Sequence, residues 1–233
     1  MKTLVRAATL GSLLCAAPFA LADLESEESR LGYSLGVTLG QSLVQDVDDL
    51  DIEAFTQAIR DVYADAELAL SEEEMAATLM QFQQQAMAER QASAQRQAEA
   101  TREAGETFLA ENALNEDVVV TDSGLQYKVI ESGDGASPGS DARVEVHYEG
   151  TLLDGSVFDS SYERGEPISF RVDQVIEGWQ EALQLMSVGD TWMLYLPYDL
   201  AYGEAGTGGP IGPYETLTFK VELLGVDAEP DAE

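Results

Sequence analysis

The sequence predicts an α+β protein in two parts: a helical N-terminal region ending in one long helix, then a curved antiparallel β-sheet wrapped on a short helix. Three observations predict it. No glycine or proline occurs between Ala64 and Ala104, whereas from Gly124 to Gly225 they come every few residues. Leu31, Leu35, Leu39 and Leu43 recur every four residues, the period of a helix face. Beyond Leu125, short runs alternate apolar and polar residues between turn signals, the period of half-buried strands. A chain of 233 residues has room for one large or two modest domains, and the shift in glycine placement favours two.

Residues 1–22 read as an export signal. Lys2 and Arg6 precede an apolar run from Leu10 to Phe19, and Ala20-Leu21-Ala22 fits a small-x-small cleavage site before Asp23. The run is too short to stay as a membrane-spanning anchor. Cys15, the only cysteine, follows bulky Leu14, where a lipid anchor wants a small residue. Cleavage after Ala22 is expected, and it leaves no disulfide and no thiol chemistry. The mature chain keeps ten of the twelve basic residues and all 44 acidic ones, a formal charge of −34. Such a surface repels nucleic acid and anionic lipid. Two origins fit the charge: a saline habitat, where screening shortens the reach of self-repulsion, or the solubility of an exported protein.

Residues 23–70 are expected to form a helical dimerisation domain. In the first helix the leucine stripe, with Val37 and Val44, runs beside Gly32, Gly36 and Gly40. Each glycine lowers helix propensity by roughly 1 kcal/mol relative to alanine, which is tolerated where another helix backbone comes close. Asp51 caps a second helix whose apolar face is Ala54, Phe55, Ala58, Ile59 and Val62. Ser71 and Glu74 have capping-box spacing and open a third helix over residues 71–114. Its apolar stripe (Met75, Leu79, Phe82, Ala86) thins beyond Ala86, and Gly105 is its weak point. A helix of about 40 residues is about 60 Å long and suits a spacer or arm. The apolar residues before Ala86 are too few for a large independent core, so a homodimer through residues 31–86 is expected; the alternative is a monomeric three-helix cap on the second domain. Residues 115–120 follow as a linker.

The second domain is expected over residues 121–226, before an acidic tail at 227–233. Leu125 to Ile130 reads as a strand. Ala142 to Tyr148 is a second, with Val144, Val146 and Tyr148 on one face. Val157-Phe158 starts another after the Asp154-Gly155 turn. Ile168, Phe170 and Val172 alternate again, Val175 to Met186 gives the one convincing short helix, and Thr191–Pro197 and Thr216–Leu224 are the last strands. Many strands and one short helix make an antiparallel α+β domain. The five glycines between Gly203 and Gly212 read as a flap beside a pocket.

From Tyr148 to Phe219 the chain gathers pocket-type aromatic residues around a single carboxylate, Asp159, with little conventional catalytic equipment. His147, the only histidine, lies opposite Tyr148 in strand parity and has a structural role. One histidine and no mature cysteine argue against zinc, and Glu72-Glu73-Glu74 begins a helix, where negative charge is favourable, with calcium binding as the remote alternative. No phosphate loop or dinucleotide fingerprint is present, and neither metal nor cofactor is expected.

The motifs V-F-D-S-S, V-I-x-G-W, M-S-V-G-D, A-Y-G and T-L-T-F-K-V-E-L-L stand in that order at fitting distances. Over roughly residues 121–226 the chain resembles an FKBP-type peptidyl-prolyl isomerase domain. The N-terminal half, with Y-S-L-G-V-T-L-G ahead of a long Gln/Ala-rich helix, resembles the exported dimeric members of that family, of the Mip and FkpA kind, which are V-shaped homodimers. The resemblance implies Trp179 as pocket floor, walls of Tyr148, Phe158, Val175, Ile176, Tyr202 and Phe219, and Ile168 and Ile211 at the rim. It makes Asp159 the pocket carboxylate, with Arg164 paired to it and to Tyr148, and the Ile176 N–H and Tyr202 hydroxyl donors to substrate carbonyls. Three positions depart from the family pattern: Ile168 where an aromatic is common, Gly212 in place of proline, and Glu149 where threonine is frequent.

The expected function is cis-trans isomerisation of X-Pro bonds in unfolded or partly folded exported proteins, in the periplasm. Macrolides of the FK506 or rapamycin type are expected ligands. Peptide-bond rotation meets a barrier of roughly 18–20 kcal/mol because of C–N double-bond character, and X-Pro bonds relax over tens to hundreds of seconds. An apolar pocket grips the proline ring, and a carboxylate or hydrogen-bond donors near the swinging carbonyl favour the twisted geometry. Two other readings compete: a chaperone that only docks proline-containing segments, and a dimerising protein with a vestigial pocket.

Overall fold

The computed structural model describes residues 24–47 and 49–227. The expected export signal, its cleavage after Ala22 and nearly all of the acidic tail lie outside the described residues. The chain divides into two compact units, 1–76 and 77–233.

In the first unit, α1 (Glu27–Asp46) starts at Ser26, whose hydroxyl accepts from the Ser29 N–H at 3.1 Å. α2 (Ile52–Tyr63) starts at Asp51, which accepts from the Ala54 N–H at 2.9 Å. The cap residues are those the sequence nominates. Neither helix buries a single residue, and Leu31, Leu35, Leu39 and Ile59 stay exposed. A groove of about 790 Å³ runs between the two helices, lined among others by Leu35, Leu39, Leu43, Phe55 and Ile59.

α3 (Glu72–Asn112) is 41 residues long. The capping box closes at its start: Glu74 accepts from the Ser71 N–H at 2.9 Å and the Ser71 hydroxyl accepts from the Glu74 N–H at 3.2 Å. Gly105, expected to weaken the helix, is instead its only buried residue. A Cβ at this position would overlap the Thr216 hydroxyl and lie 3.2 Å from the Thr216 Cβ, so glycine is what lets the helix backbone seat on the sheet domain. The seat continues C-terminally: Phe108 meets the Tyr195 ring at 5.8 Å, and the Gln126 amide donates to the Leu109 carbonyl at 2.8 Å and accepts from Asn112 at 2.9 Å. The end of α3 is therefore part of the second unit's fold rather than free spacer.

Seven strands form one antiparallel sheet: β1 (Val119–Val120), β2 (Gln126–Glu131), β3 (Arg143–Thr151), β4 (Val157–Ser160), β5 (Ile168–Arg171), β6 (Thr191–Leu196) and β7 (Leu217–Asp227). The order is β1-β2-β6-β7-β3-β4, with β5 also on β3. β3 organises the sheet. One edge pairs with β7 along its whole length, while the other pairs first with β5 and then with β4. β1 falls where a linker was expected and is held by pairing of Val119 with Tyr127 and Val120 with Gln126.

α5 (Glu177–Leu185) buries Trp179, Ala182 and Leu183 against the sheet. Val144, Val146, Leu194, Leu196, Val221 and Leu223 face it from the strands. The expected single short helix is joined by α4 (Ser161–Arg164) and by 3-10 turns at Val172–Gln174 and Tyr198–Leu200. Among the described residues no helix is long and apolar enough to cross a membrane.

Candidate functional site

The alternation on β3 fixes the first side chain. Val144, Val146 and Tyr148 are buried on one face while Glu145 is exposed. Tyr148 thereby points to where α5 crosses the sheet, and Trp179 meets it there. The Trp179 ring stands edge-on to Tyr148 at 5.3 Å and to Phe219 at 5.2 Å, with Phe170 tilted against it at 5.5 Å. Phe158 stands edge-on to Phe219 at 5.6 Å. Edge-to-face pairs are the favoured aromatic geometry, so the rings brace one another. Above Trp179 lies a cavity of about 430 Å³, walled by these aromatics with Val175, Ile176, Ile168 and Tyr202. The Trp179 indole N–H is buried and has no hydrogen-bond partner in the protein, so the aromatic floor carries one unsatisfied donor.

Asp159 lines the same cavity. Its Oδ2 accepts from the Tyr148 hydroxyl and its Oδ1 from Arg164 Nη1. Arg164 closes the triangle by donating through Nη2 to the Tyr148 hydroxyl at 3.0 Å. Burial pushes the Asp159 carboxyl up, but the hydrogen bonds from Tyr148 and Arg164 and the nearby guanidinium outweigh it and hold the carboxyl below the ordinary aspartate range. Burial, then the hydrogen bond to Asp159, pushes the Tyr148 phenol up. The pair therefore stays as phenol and carboxylate across the neutral range, a fixed negative charge beside an apolar floor.

Ile176 sits just before α5, and its carbonyl accepts from the Trp179 and Gln180 N–H groups. Among the described residues its own N–H donates to no backbone carbonyl, so a donor is left at the cavity edge. Tyr202 follows the Tyr198–Leu200 turn. The loop beyond it is held at its neck by the Gly203 N–H donating to the Tyr198 carbonyl at 2.8 Å and the Tyr214 N–H donating to the Gly203 carbonyl at 3.2 Å.

The structure brings Asp159, Tyr148, Tyr202, Ile176, Phe158, Val175, Trp179, Phe219 and Ile168 to one cavity, with Arg164 attached through Asp159. Ile211 is the exception. It is buried in the core and is not among the residues that line the cavity; its carbonyl accepts from the Thr207 N–H at 2.9 Å within the loop. Three residues went unnoticed as site residues. Phe170 lines the cavity, and its shared strand face with Ile168 was signal enough. Gln174 also lines it, and nothing in the sequence marks it. Gly150 lies beneath the wall, where a Cβ would come within 2.5 Å of Phe158 and 2.8 Å of Phe219; the absence of a side chain makes room for both rings.

Comparison with known proteins agrees with this geometry. The profile described as "FKBP-type peptidyl-prolyl cis-trans isomerase" matches residues 135–224, and the one described as "Domain amino terminal to FKBP-type peptidyl-prolyl isomerase" matches residues 28–129. The chain is 44% identical over 225 residues to the "Outer membrane protein MIP" of Legionella longbeachae, covering 96% of this chain and 97% of that one. It is 44% identical over 218 residues to the peptidyl-prolyl cis-trans isomerase Mip of Coxiella burnetii, covering 94% and 95%. The crystal structure of FkpA from Escherichia coli matches with a TM-score of 0.76 at 37% identity, over 88% of this chain and 99% of that one.

Proposed function

The chain belongs to the FKBP-type peptidyl-prolyl cis-trans isomerases, in the Mip/FkpA subgroup, and is a peptidyl-prolyl isomerase; on that premise we propose that turnover rests on Asp159 and the aromatic cavity beside it. The proline ring sits over Trp179, against Tyr148, Phe158, Val175 and Phe219, with Ile168 at the rim. The Ile176 N–H and the Tyr202 hydroxyl donate to substrate carbonyls. Asp159, ionised, stands near the carbonyl carbon as it rotates. Twisting the bond destroys amide resonance, and the twisted state prefers surroundings that do not hold the ground-state carbonyl in strong hydrogen bonds. An apolar cavity with one fixed charge gives that preference without covalent intermediate or external proton source.

The observation that carries this reading is the single carboxylate held on the cavity wall by Tyr148 and Arg164. A coupled assay on an X-Pro peptide tests it. Asp159→Asn is expected to lower kcat/KM by at least tenfold, about 1.4 kcal/mol of transition-state stabilisation. Undiminished turnover would show that the cavity isomerises X-Pro bonds without the Asp159 carboxylate.

Clients are unfolded or partly folded exported proteins, and FK506- or rapamycin-like macrolides occupy the same cavity. Residues 1–22 direct the chain to the periplasm and are removed there. A relative named as an outer membrane protein supports this, and intact mass of the exported protein checks it. The protein works as a homodimer through α1 and α2, whose exposed leucines and open groove support the pairing. Two cavities on one dimer raise the effective concentration of a second binding event on one client chain.

A further inference from the structure

We propose that Ser161 is a positioning residue for the isomerase site, and that it fixes the only histidine, His147, as the Nδ1–H tautomer. The inference rests on the role given above to Asp159, which the Asp159→Asn variant tests by itself.

β4 ends at Ser160, which lies opposite Glu149 on β3. The chain then turns into α4, so the β4 pairing stops at Glu149 and gives Tyr148 no backbone rung on this edge of β3. The Ser161 side chain takes its place. Its hydroxyl, fully buried, accepts from the Tyr148 N–H at 2.7 Å and donates to the Tyr148 carbonyl at 3.1 Å. One side chain thus satisfies both backbone groups of the residue whose phenol holds Asp159. Ser161 is also the first residue of α4, and Arg164 is the last. The same hydroxyl therefore ties the short helix that presents the guanidinium to the strand that presents the phenol. The triangle of Asp159, Tyr148 and Arg164 closes only if those two elements keep this register.

The hydroxyl has a third contact, His147 Nδ1 at 2.9 Å. A serine hydroxyl carries one proton and two acceptor lone pairs. The proton goes to the Tyr148 carbonyl and one lone pair takes the Tyr148 N–H. With the proton on the Tyr148 carbonyl, which can only accept, a lone pair is what faces His147, and this arrangement makes Nδ1 the donor. The imidazole lies stacked on Tyr162 at 4.7 Å, which fixes its plane. A histidine outside the pocket thereby serves the pocket: it completes the coordination of the hydroxyl that orders β3 against α4.

Two measurements on the full chain test this. Nitrogen-15 NMR of histidine-labelled protein, at a pH where the ring is neutral, reads the tautomer without ambiguity because there is one histidine. The Nδ1–H form is expected, and a neutral ring protonated at Nε2 overturns the assignment whether or not any variant folds. Steady-state assays on Ser161→Ala, Arg164→Gln and the double variant complete a mutant cycle. Ser161→Ala is expected to lower kcat/KM on the order of tenfold, because the phenol and guanidinium lose the tie that places the carboxylate. Its loss and that of Arg164→Gln are expected to combine to far less than their product, since both remove the same placed guanidinium. Losses that multiply, or a Ser161→Ala enzyme with wild-type kcat/KM, overturn the positioning role.

Discussion

Arg164 Nη2 donates to the Tyr148 hydroxyl at 3.0 Å while its Nη1 holds Asp159. The guanidinium thus fixes the carboxylate directly and also through the phenol that donates to it. Its carbon lies 5.5 Å from the Tyr148 ring centroid, within cation–π range, so the fork spans the ring edge and the charge together. Loss of Arg164 removes both contacts at once.

The consequence in pH follows from Asp159. Its folded pKa lies below the ordinary 3.8, so the fold favours the ionised form. The stability this contributes is complete above the ordinary value and disappears as the pH falls through the lower, folded value. Melting curves of wild type and Asp159→Asn are expected to keep a constant gap from pH 7 down to about 4 and to converge below it. Both partners are 42% exposed, so the gap should not exceed about 1 kcal/mol. For the same reason kcat/KM is expected to be flat between pH 5 and 8. A fall in that range tracking an Asp159-dependent titration would show that the carboxyl is not held charged.

Gly150→Ala probes the wall. The added methyl meets Phe158 at 2.5 Å and Phe219 at 2.8 Å, and both rings are braced against other aromatics, so they cannot simply swing away. Overpacking of this kind costs about 1–3 kcal/mol. The variant is expected to melt lower and to show a raised KM for X-Pro peptides, because displaced rings narrow the seat for proline. A lower melting point with unchanged KM would place the strain elsewhere.

The seat of α3 sets where the second unit can be cut. A fragment beginning at 121 loses the Leu109 carbonyl and the Asn112 amide that pair with buried Gln126, the Phe108 ring on Tyr195, and β1. A fragment beginning at 101 keeps them. The longer piece is expected to be more stable by at least about 2 kcal/mol, since the two Gln126 hydrogen bonds alone are worth roughly 1 kcal/mol each. Urea denaturation of the two fragments checks this. Equal midpoints would mean that the docked helix end adds nothing.

What the sequence reveals follows from the length over which a pattern repeats. β3 was legible because Val144, Val146 and Tyr148 alternate with polar neighbours over a long strand. α3 was legible because its capping box and its lack of glycine and proline extend over many turns. α4 has four residues and β1 two, too few for any period; each exists through tertiary contacts, α4 through Ser161 on β3 and β1 through β2. Gly105 read as a weakness because propensity is local, whereas its use is to fit Thr216, more than a hundred residues away. Most of the candidate site followed from motif resemblance, since apolar residues in a pocket and in a core look alike in a sequence. Ile211 shows the limit: an apolar residue beside the loop glycines reads the same whether it lines a cavity or fills the core.

The pairing of α1 and α2 is open to a direct test. A 20-residue and a 12-residue helix that bury nothing cannot gain much from propensity alone, because short helices are marginal in water without tertiary packing. Gly32, Gly36 and Gly40 have nothing within 4 Å of where a Cβ would stand, which leaves a strip of bare backbone for a partner helix to approach. Leu39 faces the groove beside that strip. Leu39→Glu puts a charge into this surface, where burial without a partner is prohibitive. Light scattering is expected to find wild type as a dimer and the variant as a monomer at micromolar concentration. Turnover of a short X-Pro peptide should change less than twofold, since Leu39 belongs to a different unit from the cavity. Refolding of a long client with several prolines should slow more than peptide turnover does, because only the dimer offers it a second cavity. A variant that stays dimeric would move the contact off this face, and a monomeric variant with unimpaired client refolding would separate dimerisation from folding assistance.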